Sequence, residues 1–257
     1  MPVAFRIGLP AATSVVAQKE LTPARLGRPA LAALGVPRTY QIIRTNEVDP
    51  KDAPVGLAAV PVFAAGAPVG GDDFAGTARK AAKLAISGAA VEVFSDVQDL
   101  IHSLPSRTTM VHHVPPITTD ADQGRVAQEE RNVQLRAFLY AASREADNDF
   151  HLILGRDPNA GAPMYMTAEV SGLPPHGDAS FATLKTARDV YKAFFGDDHL
   201  PGTSYDFYDP PVPVEVTGSL FFDMNHASGN GPGPQSLRHD IPTIWEIHPI
   251  THIVFEP

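Results

Sequence analysis

Polar and apolar residues alternate most cleanly in the second half of the chain. In Asp149-Phe150-His151-Leu152-Ile153-Leu154, residues two apart share a face, so Asp149 and His151 lie opposite Phe150, Leu152 and Leu154. Trp245-Glu246-Ile247-His248-Pro249 repeats the pattern, with Glu246 and His248 opposite Trp245 and Ile247. Period two predicts strands over 134–142, 149–156, 164–171, 213–223 and 243–255. Leu184, Val190, Tyr191 and Phe194 recur at helical spacing and predict a helix over 181–195. Stretches rich in proline or glycine, including 206–213 and 227–234, are expected to separate these elements.

The order strand-strand-strand-helix-strand-strand is that of an OB-like, five-stranded antiparallel barrel, plugged at one end by the helix. A generic α+β sandwich has the same element order. The fold expected is therefore mainly β with α: an OB-like barrel over 118–257 and an α+β region over 1–117. In that first region the pattern predicts a helix at 26–34 starting at Thr22-Pro23, a strand at 40–45 and a helix at 73–86. A strand at 89–94, a helix at 95–104 capped by Ser95 and a strand at 108–114 follow. Residues 53–72, poor in charge and rich in Pro and Gly, read as an apolar loop packed on the body or as a linker.

Composition narrows the function classes. An apolar fraction of 44% with 19% charged residues describes a globular protein. A net charge of −9 disfavours nucleic acid as the main partner, because phosphate binding draws on clustered Lys and Arg, though a local basic groove stays open. No cysteine is present, which removes disulfides, thiolate metal sites and cysteine nucleophiles and fits any compartment. No apolar run reaches the ~18 residues of a membrane span. The N-terminus makes a poor signal peptide, so the cytoplasm is the default location and secretion stays open.

Carboxylates and imidazoles carry the candidate chemistry. Asp149, His151, Glu246 and His248 are candidates for acid–base catalysis. His151, Asp223, His226 and His248 are candidate ligands for a divalent cofactor, Zn²⁺ or Mn²⁺. Glu169 and the single tryptophan, Trp245, are candidates for contacting a ligand. Each has a plain structural alternative: strand histidines bonded to backbone, a core tryptophan, turn chemistry at His226. Glu246, charged within an apolar strand, is costly to bury unless paired. Glu145 and Asp147 read as a solvated edge, and the adjacent His112 and His113 point to opposite faces of an expected strand. No Gly-x-Ser-x-Gly elbow, phosphate-binding glycine loop or His-Glu-x-x-His motif occurs.

The segments Glu145-x-Asp147-x-Asp149-Phe-His-Leu, the Glu169 strand, Asp223-x-x-His226 and Trp245-Glu-Ile-His-Pro-Ile250 resemble an uncharacterised bacterial OB-fold-like family. The resemblance covers the C-terminal half only; it implies an OB-like barrel and no particular activity. Three functions are expected to compete. One is a module binding a small polar or oligomeric ligand on the second and third barrel strands. The second is a metal-assisted hydrolase of the phosphodiesterase or nuclease kind. The third is a structural or interaction protein without chemistry.

Overall fold

The computed structural model describes residues 14–22, 39–50, 71–229 and 231–256. The helix expected at 26–34 and most of the 53–72 stretch fall outside them. The elements are β1 (Val15–Leu21), β2 (Tyr40–Thr45), α1 (Lys80–Leu84), β3 (Val91–Phe94), α2 (Val97–His102), α3 (Arg107–Val111), β4 (Asn132–Arg144), β5 (Phe150–Gly155), β6 (Tyr165–Val170), α4 (Phe181–Phe195), β7 (Asp206–Phe222) and β8 (Trp245–Phe255).

The fold is mainly β, and all eight strands belong to one mixed sheet ordered β1-β2-β7-β8-β6-β5-β4-β3, with β7 also pairing with β4. This corrects the expected five-stranded, wholly antiparallel barrel in two ways. β1, β2 and β3 extend the sheet beyond the five C-terminal strands. β3–β4 and β6–β8 are parallel, the latter joined only at Thr167↔Glu246 and Ala168↔Ile247. The sheet also runs across residue 117, because β2 pairs with β7 and β3 with β4.

Four local expectations are corrected as well. The stretch 206–213 is strand, the first part of the 17-residue β7. Pro210 and Pro211 are tolerated because they fall between the ladder pairs of Asp206–Asp209 with β2 and those of Val212 onward with β4. Residues 107–111 are helical rather than extended, because the Ser106 side chain accepts from Thr109 N and caps the turn. The expected helix at 73–86 shrinks to the single turn of α1, started by Arg79 at φ 48°. Residues 72–75 instead run as a strap along the sheet, bonded to Leu173 and to Asp147 O. α2 is capped by Asp96, whose carboxylate accepts from Gln98 N, rather than by Ser95.

Strand parity divides the sheet into two faces. Phe150, Leu152, Leu154, Met166, Ala168, Val170, Phe222, Trp245 and Ile247 share one core, into which α4 inserts Ala187, Tyr191, Phe194 and Phe195. The alternate positions look the other way, where Ile153, Tyr165, Tyr205 and Phe207 form a second apolar layer with Leu237 and Ile241. β5 and β6 are buried along their whole length. Among the described residues no helix is long and apolar enough to cross a membrane.

Candidate metal centre

The polar members of β5, β6 and β8 lie on the face away from the main core, and register brings them together. His151 on β5 stands directly across from Glu169 on β6, and its Nδ1 lies 3.1 Å from Glu169 Oε1. The parallel register sets Thr167 beside Glu246, so two residues on Glu169 meets His248, with Oε2 2.6 Å from Nδ1. Glu246 approaches the same nitrogen at 3.7 Å.

The tight β4–β5 turn adds two carboxylates. Asn148 adopts φ 74°, a conformation Asn tolerates, and Glu145 N bonds Asp149 O at 2.9 Å to close the turn. Glu145 Oε1 then lies 3.0 Å from His151 Nδ1, and Asp149 Oδ2 lies 3.6 Å from His248 Nε2. The other oxygen of Asp149 accepts from Gly172 N at 2.6 Å.

A third group comes from the end of β7 and the segment after β2. A 3-10 turn at Met224–His226 begins with Asp223, which accepts from Asn225 N and places Oδ2 2.6 Å from His226 Nδ1. His226 Nε2 lies 2.9 Å from Asp49 Oδ1, while Asp49 Oδ2 accepts from Gly233 N at 2.7 Å. Lys83 reaches in from α1, with Nζ 3.1 Å from Asp147, 3.6 Å from Glu169 and 3.8 Å from Asp149.

These side chains are buried: Asp149, His151, Glu169 and His248 are 0% exposed, and Asp49, Glu145, Asp223, His226 and Glu246 are at most 3%. The strap holds the cover in place. Asp72 bonds Arg188 and Lys192 of α4, and the Asn148 side chain donates to Asp73 O. Gly172 permits this close approach, since a Cβ there would meet Phe74 Cα at 2.8 Å.

Six buried carboxylates (Asp49, Glu145, Asp149, Glu169, Asp223 and Glu246) share this space with one lysine and three imidazoles. The carboxylate excess governs the titration of the imidazoles. Burial opposes the charged form of His248, but Glu169 and Glu246 outweigh it and hold the ring at about 9, with Lys83 opposing. Burial likewise opposes a charge on His226, yet Asp223 and Asp49 raise it to about 9. His151 is raised well above its ordinary value by Glu145 and Glu169, against its burial. Asp149 is pushed well up by burial and by neighbouring Asp147 and Glu169, with His248 and Lys83 opposing.

Several donors within the cluster have no hydrogen-bond partner among the described residues: His151 Nε2, His248 Nε2, Asp149 Oδ2 and Thr167 Oγ1. Buried polar atoms are rarely left so, and each such group calls for an explanation. The donors fall into three sets, Asp49–Glu145–His151, Asp149–Glu169–His248 and Asp223–His226–Glu246, each with its ligand atoms within 4.8 Å of one another. Tetrahedral ligands at ~2.1 Å from a cation stand about 3.4 Å apart, so each set would have to tighten around one.

The structure thus brings Asp149, His151, Glu169, Asp223, His226, Glu246 and His248 into one cluster. It leaves Trp245 out. That ring is 1% exposed, packs edge-on against Phe222 and donates Nε1–H to Pro105 O at 2.9 Å. Trp245 is a core residue rather than a ligand platform, because it occupies the opposite parity to Glu246 and His248. His113 lies elsewhere, bonded to Pro115 O and Gln128, and its neighbourhood is helix and loop rather than strand. Asp49, Glu145, Lys83 and Thr167 are members that strand parity did not single out. Glu145, expected on a solvated edge, is buried instead, and its odd-numbered spacing with Asp149 and His151 was the signal; Asp49, just before Pro50, carried none. Comparison of the chain with protein-family models, with curated proteins and with solved structures finds no match.

Proposed function

We propose that this is a divalent-metal protein, with its centre in the carboxylate–imidazole cluster on an OB-like scaffold. The observation that carries the reading is the set of fully buried donors that make no hydrogen bond, His151 Nε2, His248 Nε2 and Asp149 Oδ2, in a cluster of carboxylates. Six buried acids face only Lys83 and three imidazoles that burial disfavours as cations, and a divalent cation would take over that compensation. Oxygen donors with single imidazoles suit Zn²⁺ or Mn²⁺. The scaffold reading rests on the pairings β4–β5, β5–β6, β6–β8, β8–β7 and β7–β4, with α4 between β6 and β7.

Metal-assisted hydrolysis is the reaction class this donor set suits, a bound cation supplying Lewis acidity and a more acidic water. Binding of an oligomer on β5 and β6 is the weaker alternative, because both strands are buried throughout.

The test is metal content and melting temperature of the full chain, stripped with chelator and then reloaded. Retention of Zn²⁺ or Mn²⁺ through gel filtration, with a rise in Tm, is expected; at a hundredfold excess over Kd the stabilisation is about 2.7 kcal/mol. No retained metal and an unmoved Tm overturn the proposal. Hydrolysis is read separately with an activated phosphodiester such as bis(p-nitrophenyl) phosphate. Turnover by the loaded protein alone supports it, and equal rates with and without metal reject it.

A further inference from the structure

The three donor sets share one composition. Each contains two carboxylates and one imidazole: Asp49, Glu145 and His151; Asp149, Glu169 and His248; Asp223, Glu246 and His226. They also touch in a closed ring. The first meets the second at His151–Glu169, 3.1 Å; the second meets the third at His248–Glu246, 3.7 Å; the third returns to the first at His226–Asp49, 2.9 Å. We propose that the centre is trinuclear and takes three divalent cations, one in each set. The inference rests on the metal reading above and specifies its stoichiometry.

Charge makes the first case. Six carboxylates with neutral imidazoles balance three divalent cations, and each set balances its own. One cation would leave the other four carboxylates, at sites no more than 2% exposed, to the imidazoles and Lys83 that face them. Lys83 adds one positive charge, shared between a seventh acid, the partly exposed Asp147 at 3.1 Å, and Glu169 and Asp149 at 3.6 and 3.8 Å. Ligand number makes the second case. Nine residues exceed the four ligands of a zinc site and the six of an octahedral one.

The third case is the distribution of unpartnered atoms. His151 Nε2 belongs to the first set, and His248 Nε2 and Asp149 Oδ2 to the second. Thr167 Oγ1, buried and unpartnered, stands across the ladder from Glu246 of the third. In that set both ring nitrogens of His226 face carboxylates, Asp223 and Asp49. Taking a cation there turns the ring from donor to ligand at one nitrogen. The ring keeps its hold on the other acid, as outer hydrogen bonds do for metal-bound histidines.

The experiment is a titration of chelator-stripped, full-length protein with Co²⁺, followed by its visible absorption. Metal per chain is measured by mass spectrometry after gel filtration of a parallel Zn²⁺-loaded sample. The expected result is a break at three equivalents, one for each set. His151→Gln and His226→Gln, each removing the imidazole of one set, are each expected to lower uptake from three to two. Folding of the variants is checked by far-UV circular dichroism and Trp245 fluorescence, and the wild-type stoichiometry decides the matter if either fails to fold. Saturation at one or two equivalents overturns the trinuclear centre and leaves the metal reading standing. No uptake at all overturns both. A folded His226→Gln chain that still takes three also overturns it.

Discussion

Carboxylates favour the charged form of His248, His226 and His151 in a site that otherwise opposes charge. This sets the pH dependence expected of the metal-free protein and, on the proposed metal reading, an opposite one for stabilisation by metal. A group with a folded pKa above its unfolded value stabilises fully below the unfolded value and loses that contribution as pH rises through the folded one. For His248 and His226 the window runs from the ordinary 6.5 up to about 9, and His151 extends it in the same direction. Asp149, raised for an acid, contributes in the same sense from its ordinary 3.8 upward. For His248 alone the upper bound is about 3 kcal/mol, from about 1.4 kcal/mol per unit. Tm in chelator is therefore expected to fall between about pH 6 and about pH 9. Metal-dependent stabilisation is expected to grow over the same range, since the imidazoles must shed protons to ligate. A chelated Tm that rises instead would show that the imidazoles are neutral in the folded chain.

A second residue-scale expectation concerns Arg79. Its guanidinium makes two bonds to Glu129, at 2.6 and 2.7 Å, and lies over the Phe221 ring; Glu129 also accepts from Phe222 N and Val126 N. Arg79→Met leaves a fully buried carboxylate without its cation and should cost about 3–5 kcal/mol in urea denaturation. A near-neutral result would mean that the Phe222 and Val126 amides hold Glu129 adequately without the guanidinium. At this scale strand parity was informative where a strand existed. It placed His151, Glu246 and His248 away from the core because a period of two fixes the face of every residue. Lys83 and Asp49 escaped it: one lies on a single helical turn and the other in a connecting segment. Their positions follow from tertiary bonds that local periodicity does not encode.

The element that closes the centre is the strap at 72–75, and its fit depends on Gly172. Phe74 N donates to Leu173 O at 2.8 Å, Leu173 N donates to Asp72 O at 2.7 Å, and the two backbones approach closely only because residue 172 has no Cβ. Gly172→Ala puts a methyl group 2.8 Å from Phe74 Cα and 3.2 Å from Asp147 O, so backbone must move. The expected cost is about 1–3 kcal/mol, with faster amide exchange at Phe74 and Ala75 than in the wild type. Unchanged exchange there would show that the strap yields elsewhere. The reading of 73–86 as a long helix rested on its alanines. It failed because Arg79 starts the helical turn only at Lys80, while Asp72 and Asp73 are engaged by α4 and the β4–β5 turn.

On the scale of the molecule, a boundary at 117 suited the change from irregular to alternating sequence, but the sheet ignores it. β2 extends the sheet beyond β7, and Arg44 of β2 forms a two-pronged pair with Asp206 of β7 at 2.7 and 2.6 Å. Arg79, Lys83 and Asp49 come from before the boundary, while their partners Glu129, Asp149 and His226 come from after it. Trp245, in the core of the later part, is tied to Pro105 of the earlier one. A segment 118–257 alone would therefore keep Glu129 without Arg79 and the cluster without its cover. Two parts stabilised by shared buried ion pairs should unfold together, since losing either leaves the other with uncompensated charges. In the stripped full chain, Trp245 fluorescence and far-UV circular dichroism are expected to give one coincident denaturation midpoint. Separate midpoints, with Trp245 reporting the more stable unit, would restore the boundary and make the earlier region an accessory to an independently folded domain.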